Sequence, residues 1–532
     1  MKLGIDFGTT RIVVAAVDRG NYPVVSFERA DGVWWDWYPP LVAVSGDQIR
    51  YGWRAWEAQA EPGWTIVRSL KRFLEDAGPL TEVEIGSRRF LMLDLLTGLM
   101  AALREALRSA STLTPGPREP LEVMLGVPAN ANTNQRFLTV EAVRRAGFRV
   151  LGLLNEPSAA AVEFTHRHQG KLPAKGRGRL LVYDLGGGTF DASLVSTEER
   201  RHTVVASEGI PTLGGDDFDE ILAELALEAA GIGHEERDSL SQAEWFLLHE
   251  ECRQRKEALH PNTRRITVDL ESVRDGWRPV TVPVSEFYER CRPLVEETIH
   301  AVQDLLAAHG GEPDVLYVTG GGSELPLVPR ALREIYARRV KRSGYTQSST
   351  AIGLAIQADE EAAHRLEDAF TRYFGVWREA DAGRRIVFDP LFEKGTPLPE
   401  AGNPPLRVSR RYRPVHNIGH FRYLECSHRA PDGRPTGDIT VWDDIYFPFD
   451  PALRQTPDLT GVPVRHCESA SSQQIEETYS CDAAGAVTVT IENLTAGYRR
   501  SYRLGRWAAA GEAIVPGKRP RAGRKKTRKK AE

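Results

Sequence analysis

The stretch LLVYDLGGGTFDASLV (180–195) decides how this chain is read, because a thinner version of it, LGIDFGTTRIVVAAV (3–17), opens the sequence. Each runs from an apolar strand into an Asp, a bulky apolar residue, a glycine-bearing turn with Thr, and a second apolar strand. That order specifies a β-hairpin with an acid at the end of its first arm. Glycines let backbone N–H groups approach phosphate oxygens without a Cβ in the way. Thr hydroxyls add donors to the same oxygens. An Asp repels phosphate, so its natural role is to hold Mg²⁺ through water. Two such hairpins facing each other would grip a polyphosphate from both sides. A Walker-type loop is excluded, since no GxxxxGK[ST] occurs. The glycines lead into a strand and not a helix, which also disfavours a Rossmann site.

Outward from the hairpins, residues 1–358 alternate short apolar strands with amphipathic helical stretches, an α/β pattern. LLTGLMAALREAL (95–107) carries apolar residues at helical spacing, and Ser285 is placed to cap a long helix that Gly310 stops. A third glycine cluster, VLYVTGGGSEL (315–325), follows a strand and precedes a helix, a place where an adenosine moiety can lie against backbone. Beyond position 375 helical periodicity fades, and strands such as VTVTI (487–491) follow the turn DAAG (482–485), so a separate all-β domain is expected over 375–507. A linker is expected over 359–374. The aromatic run VWWDWYPP (33–40) could stack on nucleic acid, but a core or lobe-interface role fits it better.

The 532 residues allow two to four domains, and 41% hydrophobic with 27% charged residues is ordinary globular composition. No apolar run reaches the roughly 20 residues of a membrane span, and no signal peptide precedes the first strand, so a cytoplasmic protein without membrane contact is expected. Five cysteines at wide spacing read as free thiols. The net charge of −4 hides an asymmetry, because residues 517–532 hold nine Lys or Arg and one Glu. A disordered basic tail over 508–532 is expected, able to contact nucleic acid or an acidic protein.

Taken in order, these motifs resemble the heat-shock 70-kilodalton chaperone family of the actin-like ATPase superfamily. GIDFGTT and DLGGGTFDASL look like its two phosphate motifs, and VPANANTNQRFLTVEAVRRAGFRVLGLLNEPSAAAVEF (127–164) like the segment joining its lobes. TLGGDDFDEIL (212–222), VTGGGSELPLVPRAL and STAIGLAIQA (349–358) look like the next three signatures. The resemblance implies a two-lobed, actin-like ATPase domain with a duplicated ribonuclease H-like core, followed by a small β-sandwich. It implies ATP or ADP with Mg²⁺ as cofactors, and Asp6, Glu156 and Asp184 as acids that hold the metal through water. Gly8, Thr9, Thr10, Gly186, Gly187, Gly188 and Thr189 match phosphate-binding positions. Gly214, Gly215, Lys256, Gly320, Gly321 and Gly322 match the rest of the nucleotide site. Lys71 matches the lysine that orients the attacking water, and Asp191 an acid near the metal's water shell, with Thr189 and Glu156 in the same catalytic group. Pro128 and Arg136 match residues that report nucleotide state to the second domain.

The match fails at the adenosine side, where Arg253, Glu257, His260 and Glu324 stand in place of the usual Glu, Arg, Ser and Arg. Arg253 and Glu257, four apart on a helix, can pair with each other. Loss of a stacking arginine predicts weaker ATP affinity. The sandwich resemblance covers LFEKGTPLP (391–399) and 475–504, and too little chain follows to build a helical lid. The leading expectation is a monomeric, lidless, chaperone-like ATPase acting on unfolded or extended polypeptide. A J-domain-type co-chaperone and a nucleotide exchange factor would be its partners. A nucleotide-gated scaffold or co-chaperone with little or no hydrolysis is the second reading. An actin-superfamily sugar or acid kinase is the third, and it would need a catalytic Asp base for a hydroxyl substrate.

Overall fold

The structure, a computed structural model, describes residues 1–504 except 75, 79, 130, 169–177, 199–200, 360–364, 367–369, 371, 381–384, 400–402, 443 and 483–484. The basic tail and much of the expected linker therefore lie outside the described residues. Lobe I is built on a sheet ordered Arg149–Asn155, Glu122–Val127, Lys2–Phe7, Ile12–Ala16. The first three strands run parallel, and Ile12–Ala16 returns antiparallel as the second arm of the opening hairpin. Lobe II repeats this plan with Val340–Arg342, Val315–Thr319 and Gly178–Leu185 parallel and Phe190–Glu198 antiparallel. Lobe II then adds Arg201–Ile210 as a full third hairpin strand, where lobe I has single bridges from Ala15 to Val24 and from Ile12 to Tyr38.

The repetition extends to the turns. Gly8 N–H donates to Arg11 O at 3.0 Å, and Gly186 N–H donates to Thr189 O at 2.9 Å. Asp6 and Asp184 thus occupy matching places, one residue before the last pair of each hairpin. Their cross-strand partners differ, Val13 for Asp6 and Asp191 for Asp184.

Two helices join the lobes, Glu156–Arg167 and Ser349–Ala358. They cross closely because the contact is made of small residues, including Ala159 and Gly353. A Cβ at Gly353 would lie closer than 3.0 Å to the Ala159 carbonyl, and one at Gly4 equally close to the backbone of Ser349–Ala358. Interiors packed at crystal density give such atoms no room.

The expected helix over 95–107 runs Met92–Ser109 and buries its apolar stripe in lobe I. The long lobe II helix runs Val284–Ala308, so Ser285 lies in its first turn and Pro283, ending the strand Val280–Pro283, takes the cap position. Gly310, at φ 62°, supplies the left-handed turn after the helix end. The aromatic run divides: Trp37 and Tyr38 are buried, while Val33 and Trp34 are about half exposed at a hairpin end.

Among the described residues the β domain has a two-stranded sheet, Ile418–Phe421 with Ile445–Pro448, and two four-stranded antiparallel sheets. One is ordered Arg385–Phe392, Tyr373–Ala380, Tyr423–Arg429, Pro435–Val441, the other Leu406–Tyr412, Ile475–Cys481, Val487–Asn493, Tyr498–Arg503. Its first strand starts two residues before the boundary read from the sequence, and Phe374 is fully buried in its core. The fully buried Glu477 accepts from Arg378 Nη2 at 2.7 Å, from Nη1 at 3.1 Å, and from the hydroxyls of Tyr412 and Tyr479. Arg378 also donates to Asp389 at 2.7 Å. These bonds tie the inner faces of the sheets together. Between the domains, the backbone of Arg365–Leu366 adds a short parallel strand to lobe II at Arg201 and His202. Gly485 of the β domain sits over the Arg136 side chain of lobe I.

The close helix crossing is testable. Gly353→Ala should lower the thermal midpoint of the two-lobed domain by several degrees or block soluble folding, at a cost of about 3 kcal/mol or more. Gly233→Ala, in open space, serves as the neutral comparison. An unchanged midpoint in the first variant would rule out the crossing.

Candidate functional site

The two hairpin ends face each other across a cleft of about 1410 Å³ between the lobes. They nearly touch: a Cβ at Gly187 would meet the Thr10 side chain, and one at Gly188 the Arg72 guanidinium, each closer than 3.0 Å. Thr9, Thr10, Gly186 and Thr189 line the floor of the cleft, with Asp6, Glu156, Asp184 and Asp191 beside them. Glu156 reaches this point as the first residue of its helix, directly after the strand Arg149–Asn155. Lys71 arrives from the other side on a short 3₁₀ turn and donates to Glu156 Oε1 at 2.6 Å.

One ammonium among four carboxylates leaves an excess of negative charge in a poorly solvated place. Burial pushes the Asp6 carboxyl up to about 7, reinforced by Glu156 and opposed by Lys71. Asp184 is pushed well above the usual carboxylate range, first by burial and then by Asp191, Glu156 and Asp6. Burial works against the charge on Lys71, yet Glu156 and Asp6 outweigh it and hold the amine above its ordinary value. The donors are hard oxygens, which suits Mg²⁺. Among the described residues no three His, Cys, Asp or Glu side chains converge closely enough to ligate an ion directly.

Further along the cleft, Gly215 and Gly320–322 present backbone. Gly320 is at φ 83° with the Asp184 carboxylate against its Cα, a place no side chain could take. Lys256 is nearly buried, donating to Gly215 O at 2.6 Å and pairing with Asp219 at 2.8 Å. It thereby pins the glycine turn at the start of the helix Gly215–Ala229. Gly188 and Gly214 pack behind the turn and do not line the cleft.

Arg253 and Glu257 line the cleft and do pair, at 3.1 Å. Glu324 does not line it; it accepts from Thr346 and, at 3.0 Å, from Gln347 Nε2. His260 is exposed beyond the helix end. Pro128 and Arg136 also lie off the cleft, with Arg136 donating to Asn155 Oδ1 at 2.8 Å beside the strand that delivers Glu156. Sequence reasoning missed Arg11, Trp37, Arg72 and Gln347, all of which line the cleft. Arg11 could have been flagged as a cation in the first glycine turn; its partners, more than 200 residues away, could not.

Comparison with known proteins follows the same outline. A family model described as Hsp70 protein matches residues 116–368. The chain is 33% identical over 386 residues to "Chaperone protein HscA" of Proteus mirabilis, covering 68% of this chain and 58% of that protein. It is 34% identical over 375 residues to a "Chaperone protein HscA homolog" of Aeromonas hydrophila, covering 67% and 57%. A third relative, the "Chaperone protein HscA homolog" of Chromobacterium violaceum, is 30% identical over 392 residues, covering 69% and 60%. The chain spans about three fifths of the length of these relatives. With a duplicated core, two facing acidic hairpins and these relatives, the chain belongs to the Hsp70 family.

Proposed function

We propose that this protein is an ATP hydrolase of chaperone type, binding Mg-ATP in the interlobe cleft and using it to bias binding of extended polypeptide by the β domain. The observation that carries this reading is the pair of matched hairpins holding Asp6 and Asp184 face to face, with Lys71 between them. Thr9, Thr10, Gly186, Gly187 and Thr189 hold the phosphate chain with backbone N–H and hydroxyl donors. Asp6, Glu156 and Asp184 orient the water shell of Mg²⁺, and Asp191 holds a further water. The metal would neutralise charge on the β- and γ-phosphates. Lys71, charged and fixed by Glu156, faces the γ-phosphoryl oxygens and offsets the charge that builds on them during transfer to water.

Two features support coupling to the β domain. The Arg365–Leu366 ladder ties the connecting segment to lobe II, and Gly485 rests on Arg136, whose partner Asn155 precedes Glu156. A J-domain-type co-chaperone and an exchange factor complete the cycle on this reading. The scaffold reading, with little turnover, draws on the crowded charges of Arg253, Glu257 and Lys256 in the cleft.

Steady-state ATP hydrolysis tests the reading, with Lys71→Ala and Thr189→Val each expected to lower turnover at least about tenfold. Rates equal to wild type in both variants would remove it. In a fluorescence titration, ATP should change the affinity for an unfolded peptide, and equal affinities with and without ATP would remove the coupling.

The metal carries its own pH dependence. An acid whose folded-state pKa is raised leaves the folded protein holding more protons than the unfolded chain. Stability from Asp6 is therefore lost as pH rises from about 4 through about 7 in metal-free protein. Mg²⁺ should raise the thermal midpoint more at pH 8 than at pH 5.5, and Asp6→Asn should shrink that difference. A Mg²⁺ effect independent of pH would contradict the assignment.

A further inference from the structure

Five residues from the two lobes meet in the cleft: Arg11 and Trp37 from lobe I, and Arg253, Glu257 and Gln347 from lobe II. Arg11 follows Thr10 in the first hairpin turn, and its side chain crosses the cleft. Its Nη2 donates to Glu257 Oε1 at 2.5 Å, and its Nη1 donates to Gln347 Oε1. The Arg11 guanidinium lies 5.1 Å from the Trp37 ring centre, and Arg253 lies 5.8 Å from the same ring. Glu324 anchors Gln347 from behind, and Glu250 anchors Arg253. Arg11 is only 16% exposed and Glu257 34%, so the guanidinium is shielded while the carboxylate keeps contact with water.

This is a continuous wall made by both lobes. The cations and donors proposed to face phosphate are Lys71, Thr9 and Thr189. In the wall each positive group has an acid beside it, which leaves no surplus charge to attract phosphate. What remains is an aromatic face, guanidinium planes and glycine backbone, chemistry suited to an uncharged planar group carrying hydroxyls.

We propose that Arg11 is a positioning residue for the nucleoside half of the ligand, acting through its interlobe bond to Glu257. The proposal rests on the nucleotide reading above and deepens it. Because Arg11 belongs to the phosphate-gripping turn and Glu257 to the opposite lobe, the nucleoside wall is whole only when the lobes are closed. Affinity for the nucleoside then depends on a contact that phosphate alone does not need. Burial would raise the Glu257 carboxyl, yet Arg11 and Arg253 hold it below its ordinary value, as a committed ion pair requires.

The test compares Mg-ADP with Mg-tripolyphosphate, which lacks the nucleoside, by calorimetry on the full chain. Arg11→Ala and Glu257→Ala should each weaken ADP by about tenfold or more, the scale of a charge-assisted bond, and leave tripolyphosphate within about twofold. The double variant Arg11→Glu with Glu257→Arg should recover most of the ADP affinity, a rescue that a general packing role would not give. Equal losses for both ligands, or unchanged ADP affinity in both single variants, would overturn the proposal. Wild-type protein that binds neither ligand would overturn the nucleotide reading itself and the inference with it. ADP binding in wild type with no effect of Arg11→Ala defeats the inference alone.

Discussion

Asp6 and Asp184 repel each other, and each is held in place by the ladder of its own sheet. Each is the penultimate residue of an inner strand of its sheet, two residues before a four-residue turn begins, with strands on either side. Glu156 and Asp191 add to the repulsion, and Lys71 relieves part of it. Rigid sheets can sustain such strain, because shifting one strand end would break its ladder on both sides. The site is therefore prepared for a cation and for the charge a cation would bring with it. On the proposed reading, the electrostatic work would be done at folding and not at the moment of reaction.

The two sheets press these acids together through two crossing helices whose backbones meet closely at Gly353 and Ala159. Gly353 against Ala159, and Gly4 against the second helix, set the distance between the lobes. Contacts on the rim, such as Arg72 with Asp216 at 2.8 Å, are roughly 40% exposed and add little to closure. The Arg11–Glu257 contact differs in that its guanidinium is mostly buried.

Much of this was legible in the chain. The hairpins announce themselves because their chemistry is local: an Asp, glycines and Thr within a few positions. The helix ending at Gly310 and the last strands of the β domain were legible for the same reason, a period or a turn contained in a short window. What stayed hidden depends on residues far apart. Lys256 lines the cleft, and only the fold shows that its amine also bonds Gly215 and Asp219. Glu324 looks like the loss of a stacking arginine, but it sits behind the wall and steadies Gln347. The Arg378–Glu477 clasp inside the sandwich, joining positions 99 apart, breaks the alternation rule that places polar side chains outside. No local pattern could have paired them.

The ladder between Arg365–Leu366 and Arg201–Ile210 is two residues long. A backbone hydrogen bond contributes about 1 kcal/mol net, so this contact is worth little more than the cost of fixing the segment that makes it. The ladder by itself is therefore a weak tie between the domains. A change of about 1.4 kcal/mol at either end, from a ligand in the cleft or a chain on the sandwich, would turn the ratio of docked to undocked ladder tenfold. A longer, oilier connection would hold one setting against such modest forces. On the proposed reading, that brevity would leave the two halves of the molecule responsive to each other.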